Sequence, residues 1–83
     1  MDGIERKAPY DLNAEASVLG SMILDKHAVD VASELLTADD FYKGSHGDIF
    51  RSIQTLGLKG EPVDYLTLSE ELTTAGKLEM VGG

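Results

Sequence analysis

The chain has 83 residues, of which 42% are hydrophobic and 27% charged, and it contains no cysteine. This length suits one small folded domain, and without cysteine neither disulfides nor cysteine-ligated zinc can stabilise it. Fifteen acidic against seven basic residues give a net charge of −8, which argues against nucleic-acid binding, because that binding depends on basic side chains that neutralise phosphates. No apolar run reaches the roughly 20 residues of a membrane span, and no signal-peptide core is present. A cytoplasmic protein without membrane contact is expected.

The first helix is predicted to follow a short leader. Residues 1–12 mix charges with a glycine and a proline and predict a flexible leader, ahead of a helical domain over residues 13–83. Asn13 is predicted to cap a helix over about Ala14–Leu24, because an asparagine side chain accepts hydrogen bonds from the first free amides of a helix. Apolar residues paired four apart give this helix a wide stripe that can pack on two neighbours. The stripe consists of Val18, Leu19, Met22 and Ile23.

A second helix and a short turn are predicted next. Asp25 can cap the second helix, whose apolar residues follow the i, i+3, i+4, i+7 pattern of one helical face. Thr37 and Asp40 have the spacing of a capping box, with aspartate in place of glutamate, and predict a single helical turn that buries Phe41. The apolar face of the second helix consists of Ala28, Val31, Ala32 and Leu35.

The third helix is predicted to begin after Gly44, which interrupts the chain. Ser45 with Asp48 offers a second capping box for this helix. Three residues are expected to end it and to prevent an immediate restart: Gly57, Gly60 and Pro62. Its apolar residues are Ile49, Phe50, Ile53 and Leu56.

The fourth helix completes an all-α pattern. Asp64 is predicted to cap it, and Gly76 to close it in a left-handed conformation. Lys77 to Gly83 is predicted to form a short turn. One face of the helix is predicted to hold Tyr65, Leu68, Leu72 and Ala75. Alternation typical of strands is absent, so four helices with short loops predict a small compact helical bundle.

No catalytic, cofactor-binding or metal-ligating residue is predicted. The segments 57–60 and 76–78 combine glycine with lysine, but neither has the spacing of a phosphate-binding loop, and both are interpreted as helix C-caps. His27 and His46 have no cysteine or second histidine at zinc-site spacing and are interpreted as surface or first-turn residues. An enzyme is therefore disfavoured, and no cofactor is expected in this chain.

The five aromatic residues favour packing over the stacking of bases. Phe41 and Phe50 lie at predicted core positions in a chain poor in basic residues. Tyr10, Tyr42 and Tyr65 are open between core and interface positions, because a tyrosine often packs its ring while its hydroxyl stays in water.

Four short motifs, in the same order, resemble the N-terminal domain of the DnaB-type bacterial replicative DNA helicases. Residues 13–20 (Asn-Ala-Glu-Ala-Ser-Val-Leu-Gly) resemble the opening E-A-E-x-x-V-L-G of that family. Residues 39–50 contain the D-F-Y and H-x-x-I-F elements. Residues 62–68 resemble P-V-D-x-x-T-L, and residues 76–83 resemble G-x-L-x-x-V-G-G. The resemblance covers nearly the whole chain from Asn13 to Gly83.

Within these motifs, four residues have an expected structural role. Leu19 is the centre of the first stripe, and Gly20 is expected to allow a close helix crossing. Phe50 is the largest side chain on its helix and is expected to anchor the core. The resemblance implies a structural rather than a catalytic role for His46.

The resemblance implies a non-catalytic collar domain of a hexameric, ATP-dependent helicase. Such a domain pairs with another copy and helps to recruit primase, which places it in the primosome. ATP and magnesium belong to the C-terminal motor domain of the parent helicase. In the family, further helices follow the Gly-Gly turn, so pairing and primase contact are expected to be weakened in a chain that ends at Gly83. Three side chains near that end are expected to be partly uncovered: Leu72, Leu78 and Val81.

An acidic acyl-carrier-like protein is the alternative. Such carriers are also small and four-helical, and they need a serine at a helix start to hold the prosthetic arm. Ser45 begins a predicted helix but lies in Gly-Ser-His, whereas Ser21 lies in the middle of one.

Overall fold

Four α-helices and one 3₁₀ turn make up the part of the chain that the computed structural model describes, residues 11–77. The elements are α1 (Leu12–Leu24), α2 (Lys26–Leu35), the 3₁₀ turn (Ala38–Asp40), α3 (Gly44–Lys59) and α4 (Tyr65–Thr74). Residues 11–77 contain no strand, and the predicted all-α class is confirmed. Helix α3 packs against α1, α2, the 3₁₀ turn and α4, so it is the central element of the bundle.

Helix α1 begins two residues earlier than predicted. Its N-cap is Asp11, whose side chain accepts a hydrogen bond from the backbone N–H of Ala14 at 3.0 Å. Asn13 therefore lies inside the first turn, and its predicted capping role is wrong. Aspartate and asparagine are almost equally good caps, so the residue types did not distinguish the two positions. Most of the predicted leader lies outside the described residues.

Asp25 joins α1 to α2 without a linker. Its backbone N–H donates to the carbonyl of Ser21 at 2.9 Å and so ends α1. Its side chain accepts from the backbone N–H of His27 at 2.9 Å and so begins α2, which confirms the predicted cap. Because one residue performs both tasks, it fixes the rotation of α2 relative to α1.

The turn before α3 forms as predicted, but the start of α3 does not. The Asp40 carboxylate accepts hydrogen bonds from the Thr37 backbone N–H at 2.7 Å and from its hydroxyl at 3.3 Å, and the following Phe41 is buried. Helix α3 then begins at Gly44, and its N-cap residue Lys43 makes no side-chain capping bond. The predicted capping box of Ser45 with Asp48 is therefore wrong.

The later helix ends agree with the sequence in most respects. Gly60 ends α3 with a φ of 73°, whereas Gly57 lies inside the helix and does not end it. The Asp64 side chain accepts from the Thr67 backbone N–H at 2.9 Å, which confirms the cap of α4. Gly76 has the predicted left-handed conformation, with a φ of 74°. The remainder of the turn predicted after Lys77 lies outside the described residues.

Phe50 lies at the centre of the core. Its side chain is fully buried, and its ring centroid is 5.1 Å from that of Phe41 with the ring planes tilted by 41°. The predicted core positions of both phenylalanines are confirmed. Leu19 and Met22 of α1 are buried as predicted, although Ile23 is exposed. The other buried apolar residues are Val29, Ala32, Ile53, Leu56 and Leu72.

Helix α2 turns a different face to the core from the one predicted. Val29 and Ala32 are buried, whereas Val31 and Leu35 are exposed. Val29 faces α3 at Gly57, where an added Cβ would lie 3.7 Å from Val29 Cγ1. The predicted face is therefore right at Ala32 but wrong at Val31 and Leu35, because the packing of α2 between α1 and α3 buries Val29 instead.

Two expectations for α4 and one for α1 are also corrected. Tyr65 and Ala75 are exposed, so only Leu68 and Leu72 of the predicted face reach the interior. Leu72 is 4% exposed and is not partly uncovered, while Leu78 and Val81 lie outside the described residues. At Gly20 an added Cβ would meet no atom within 4 Å, so no close helix crossing occurs there.

The close approach of backbones occurs instead at Gly47. A Cβ added to this buried glycine would lie 2.7 Å from the carbonyl oxygen of Ala38 in the 3₁₀ turn. That distance is far inside van der Waals contact, and the neighbouring atom belongs to the backbone, which cannot move aside as a flexible side chain can. Gly47 therefore allows α3 to pack directly on the 3₁₀ turn.

Replacing Phe50 by alanine is expected to lower the free energy of unfolding by about 3–5 kcal/mol, because the change removes a large, fully buried side chain. Native proteins have about 5–15 kcal/mol of stability in total, so this loss removes a large part of it and should lower the melting temperature strongly. Thermal melts followed by circular dichroism measure the effect. Tyr65→Ala is the matched control, since Tyr65 is 77% exposed, and a similar loss in both variants would contradict a core role for Phe50.

Alanine substitutions at Gly47 and Gly20 are expected to have opposite effects. Gly47→Ala should destabilise the protein by about 1–3 kcal/mol, because its Cβ collides with the Ala38 carbonyl. Gly20→Ala should stabilise it by about 0.5–1 kcal/mol, since alanine restricts the unfolded chain and meets nothing in the folded one. Urea denaturation of both variants measures the difference. Equal changes would show that the contact at Gly47 does not limit the packing of α3.

Candidate functional site

The residues considered for phosphate or metal binding lie in ordinary structural surroundings. Lys59 lies in the last turn of α3 and Gly60 is its C-cap, so segment 57–60 is the predicted helix end and not a phosphate-binding loop. His27 is exposed in the first turn of α2. Within residues 11–77, no three His, Cys, Asp or Glu residues converge in a way that could hold a metal ion. That the chain has no catalytic, cofactor-binding or metal residues stays a prediction.

The Glu15 carboxylate joins α1 to the start of α3. It accepts hydrogen bonds from the backbone N–H of Tyr42 at 2.6 Å and from that of Lys43 at 3.4 Å. It also lies 2.8 Å from Nδ1 of His46. An ionised carboxylate can only accept hydrogen bonds, so Nδ1 of His46 carries the proton and donates it. Glu15 thus fixes the two residues before α3 and the first turn of α3 itself.

The surroundings of Glu15 favour its charged form. Partial burial by itself would raise the pKa of Glu15, but the hydrogen bond from His46 and the two backbone N–H donors lower it, and the lowering prevails. Both side chains of the pair are 14% exposed, so water screens the interaction less than at an open surface. A charged hydrogen-bond acceptor with three donors is a strong contact for so small a domain.

The sequence predicted a structural role for His46 in this contact but no role for Glu15. His46 was expected to have a structural role in the first turn of its helix, and its bond to Glu15 agrees with that role. Glu15 was quoted as part of the first motif but was not assigned a contact. The 31 residues that separate Glu15 from His46 place their bond beyond the reach of any local pattern.

A second polar contact, at the C-terminal end of α3, is a surface ion pair. Lys59 Nζ lies 2.9 Å from the Glu71 carboxylate and links the end of α3 to α4. The hydrogen bond to Glu71 raises the pKa of Lys59 above its ordinary value. Because half of the Lys59 side chain is exposed, this pair contributes little to stability.

Exposed apolar side chains form the remaining candidate for function. A groove of about 530 Å³ between α2 and the end of α3 has the buried Met22 and Val29 among its lining residues, together with exposed Leu58. A second groove of about 390 Å³ lies between α1 and α2. Apolar surface of this kind is typical of protein contact sites. Of the tyrosines left open in the sequence, Tyr42 and Tyr65 are exposed, and Tyr10 lies outside the described residues.

The described helices include none with the length and apolar character needed to cross a membrane.

A family model for the DnaB-like helicase N terminal domain matches residues 7–83 of the chain. The replicative DNA helicase DnaC of Bacillus subtilis is 44% identical over 79 residues, which are 95% of this chain and 17% of that protein. The replicative DNA helicase DnaB of Geobacillus stearothermophilus is 42% identical over 79 residues, with the same coverage. The chain thus spans 17% of the length of these curated relatives.

A solved structure shows the same fold. The crystal structure of the N-terminal domain of DnaB helicase from Mycobacterium tuberculosis superposes with a TM-score of 0.85 and 43% sequence identity. The superposition covers 90% of this chain and 52% of that one. The sequence and structure comparisons therefore agree on one family.

Replacing Glu15 by glutamine is expected to destabilise the protein by about 1–3 kcal/mol at neutral pH, because the neutral amide is a weaker acceptor for the N–H groups around it. The pKa of Glu15 is lowered in the folded state, so its contribution is complete above the ordinary value of 4.5. It is lost as the pH falls below 4.5 and through the lower pKa of the folded protein.

Urea denaturation of the wild type and of Glu15→Gln from neutral pH down to about pH 3 tests this dependence. The stability difference between the two proteins should shrink as the pH falls. Glu70→Gln, at an exposed position on α4, is the control and should show little difference at any pH. A gap for Glu15→Gln that is constant with pH would contradict the charged role of Glu15.

Proposed function

Because this chain belongs to the family of DnaB-like helicase N-terminal domains, we propose that it is the non-catalytic collar domain of a hexameric, ATP-dependent replicative DNA helicase. It matches the N-terminal domain of the DnaB helicases, which lacks their ATPase region. In this proposal the domain serves ring assembly and primase recruitment during bacterial DNA replication in the cytoplasm. Binding of ATP and magnesium belongs to the motor domain of the parent helicase.

The observation that carries this proposal is the exposed apolar surface of an otherwise acidic, well-packed domain. Leu24, Leu35 and Leu58 are each at least three-quarters exposed, although the core beneath them is closed. Leu58 and Leu35 line the two grooves described above, and apolar side chains beside a groove favour a contact with another protein. A net charge of −8 makes a protein partner more suitable than a nucleic acid.

Membership of the DnaB-like family argues against the alternative of an acyl-carrier-like protein. Of the two serines considered for a prosthetic arm, Ser21 lies in the middle of α1 and donates its hydroxyl to the carbonyl of Ser17 at 3.0 Å. Ser45 is half-buried in the first turn of α3, beside the Glu15–His46 pair. Neither position resembles the open helix start that a carrier protein needs.

A competition experiment tests the proposed function. The full-length helicase that shares this domain is bound to immobilised primase from the same organism, and the 83-residue chain is added at increasing concentration. The folded chain should displace part of the helicase at high concentration, because it offers part of the same docking surface. The Phe50→Ala chain, which has nearly the same composition but a disrupted core, should displace much less. Equal retention of the helicase with and without the folded chain would contradict primase recruitment by this domain.

Single-stranded DNA is expected not to bind at physiological salt, because the chain has seven basic residues against fifteen acidic ones. Fluorescence anisotropy of a labelled oligonucleotide, titrated with the chain, measures this. Binding at micromolar concentration that weakens steeply as salt is added would refute the expectation, since that salt dependence indicates contacts to phosphates.

ATP is expected not to bind either, because the glycine–lysine segment 57–60 is the end of α3 and offers no phosphate-binding loop. Isothermal titration calorimetry with ATP and magnesium should show only the heat of dilution. A saturable heat with a defined stoichiometry would show that the chain contains a nucleotide site.

A further inference from the structure

Helix α2 carries an apolar face that the rest of the described protein leaves largely uncovered. The sequence marks Ala28, Val31, Ala32 and Leu35 as one amphipathic face, yet the structure buries only Ala32 fully. Val31 is 43% exposed and Leu35 is 75% exposed. A face with this regular helical spacing is typical of a packed surface, so its exposure indicates a contact that the described residues do not supply.

This face forms one wall of the groove between α1 and α2, which is called the α1–α2 groove below. Met22 and Ala32, both buried, line its base, and Val18 and Leu36 are partly buried within it. Its volume is about 390 Å³. Helix α2 has ten residues and so extends about 15 Å, which is long enough to hold about three turns of another helix.

Acidic side chains border the α1–α2 groove. Asp25 and His27 line it where α1 meets α2. Glu34 is exposed on α2 three residues after Val31, next to that lining. Asp30 lies on another side of α2, where it lines the groove between α2 and the end of α3. Neither Asp25 nor Glu34 takes part in an ion pair with another residue of the described range 11–77. Lys26 is the only basic residue of α2 other than His27.

The charge around the groove decides between two kinds of occupant. A second copy of this chain that paired through the same face would bring two acidic α2 helices together, and like charges at short range are repulsive. A partner with lysine or arginine beside its apolar residues would gain attraction at the same places. Burial of Val31 and Leu35 would then supply affinity, while the acidic border would supply orientation and specificity.

We infer that the α1–α2 groove binds an amphipathic helix of a partner protein that has basic residues flanking its apolar stripe. The partner's apolar side chains pack on Val31 and Leu35 and reach towards Met22, and its basic side chains lie beside Asp25 and Glu34. This inference rests on the proposed recruiting function, and it assigns that function to one groove and one chemical class of partner.

The test uses two synthetic peptides and the full 83-residue chain. The first peptide has about 14 residues, with leucines at the i, i+3, i+4, i+7 positions of one face and lysines at both flanks. The second peptide has the same leucines and glutamates in place of the lysines. Fluorescence anisotropy should show that the lysine peptide binds at least about tenfold more tightly. In heteronuclear NMR spectra, the lysine peptide should shift the amide signals of Val31 and Leu35 and leave those of α4 unchanged.

Variants of the chain locate the contact. Leu35→Ser should weaken the lysine peptide about tenfold, because Leu35 loses its apolar contact. Leu66→Ser is the matched control on α4, where Leu66 is 65% exposed, and should change affinity less than about twofold. Glu34→Lys should weaken binding more than Glu70→Lys, although both variants change the net charge by the same amount. Circular dichroism confirms that each variant is folded, as expected for changes at exposed positions.

Three results would overturn the inference. They are equal binding of the two peptides, failure of the lysine peptide to bind, and equal effects of Leu35→Ser and Leu66→Ser. Sedimentation showing a dimer that Leu35→Ser dissociates would assign the groove to a second copy and would also overturn it.

The primase competition separates this inference from the proposed function. If the Leu35→Ser chain still displaces the helicase as well as the wild type does, the groove assignment fails and recruitment stands. If the lysine peptide binds in the groove but the wild-type chain displaces nothing, recruitment of primase fails and the groove stands.

Discussion

Burial of Phe50 on α3 is the interaction on which the rest of the described fold depends. Helix α3 contacts α1, α2, the 3₁₀ turn and α4, and Phe50 is its largest buried side chain. The tilted contact with Phe41 ties the 3₁₀ turn to that centre. Because a domain of this size has few core residues, each large buried side chain carries an unusually large share of the stability.

The hydrogen bonds of two carboxylates, Asp25 and Glu15, determine how the helices meet around that core. Asp25 ends α1 and begins α2 within one residue, so the angle between the two helices is set locally. Glu15 acts over a long sequence separation, because it binds the backbone before α3 and the ring of His46 in its first turn. Gly47 then permits direct contact between α3 and the 3₁₀ turn. The α2 surface with Val31 and Leu35 stays exposed in the described part of the chain.

That surface connects the architecture to the proposed function. A collar domain needs a stable body and an external face for partners. Helix α2 contributes to both, because Val29 and Ala32 are buried in the core whereas Val31 and Leu35 are exposed. The acidic charge of the chain suits basic protein partners and disfavours nucleic acid. In the proposed function, the residues of this chain position a contact surface for a larger helicase.

The sequence by itself determined the helix count, the caps at Asp25 and Asp64, the Thr37–Asp40 turn and the family. Those features depend on residues close together in the chain, and the family motifs are short and ordered. Tertiary structure decided which part of α2 is buried, because Val29 lies next to the predicted face of Ala28, Val31, Ala32 and Leu35 and is equally apolar, and only the packing buries Val29 and Ala32.

Tertiary structure also decided the positions of close contact. Gly20 and Gly47 are both helical glycines, but only the fold brings the Ala38 carbonyl to Gly47. The same holds for Glu15, whose partners Tyr42, Lys43 and His46 lie in a different part of the chain. Local sequence patterns predict caps and helical periodicity. Contacts between distant segments depend on how the helices pack, and that packing is determined by residues distributed over the whole core.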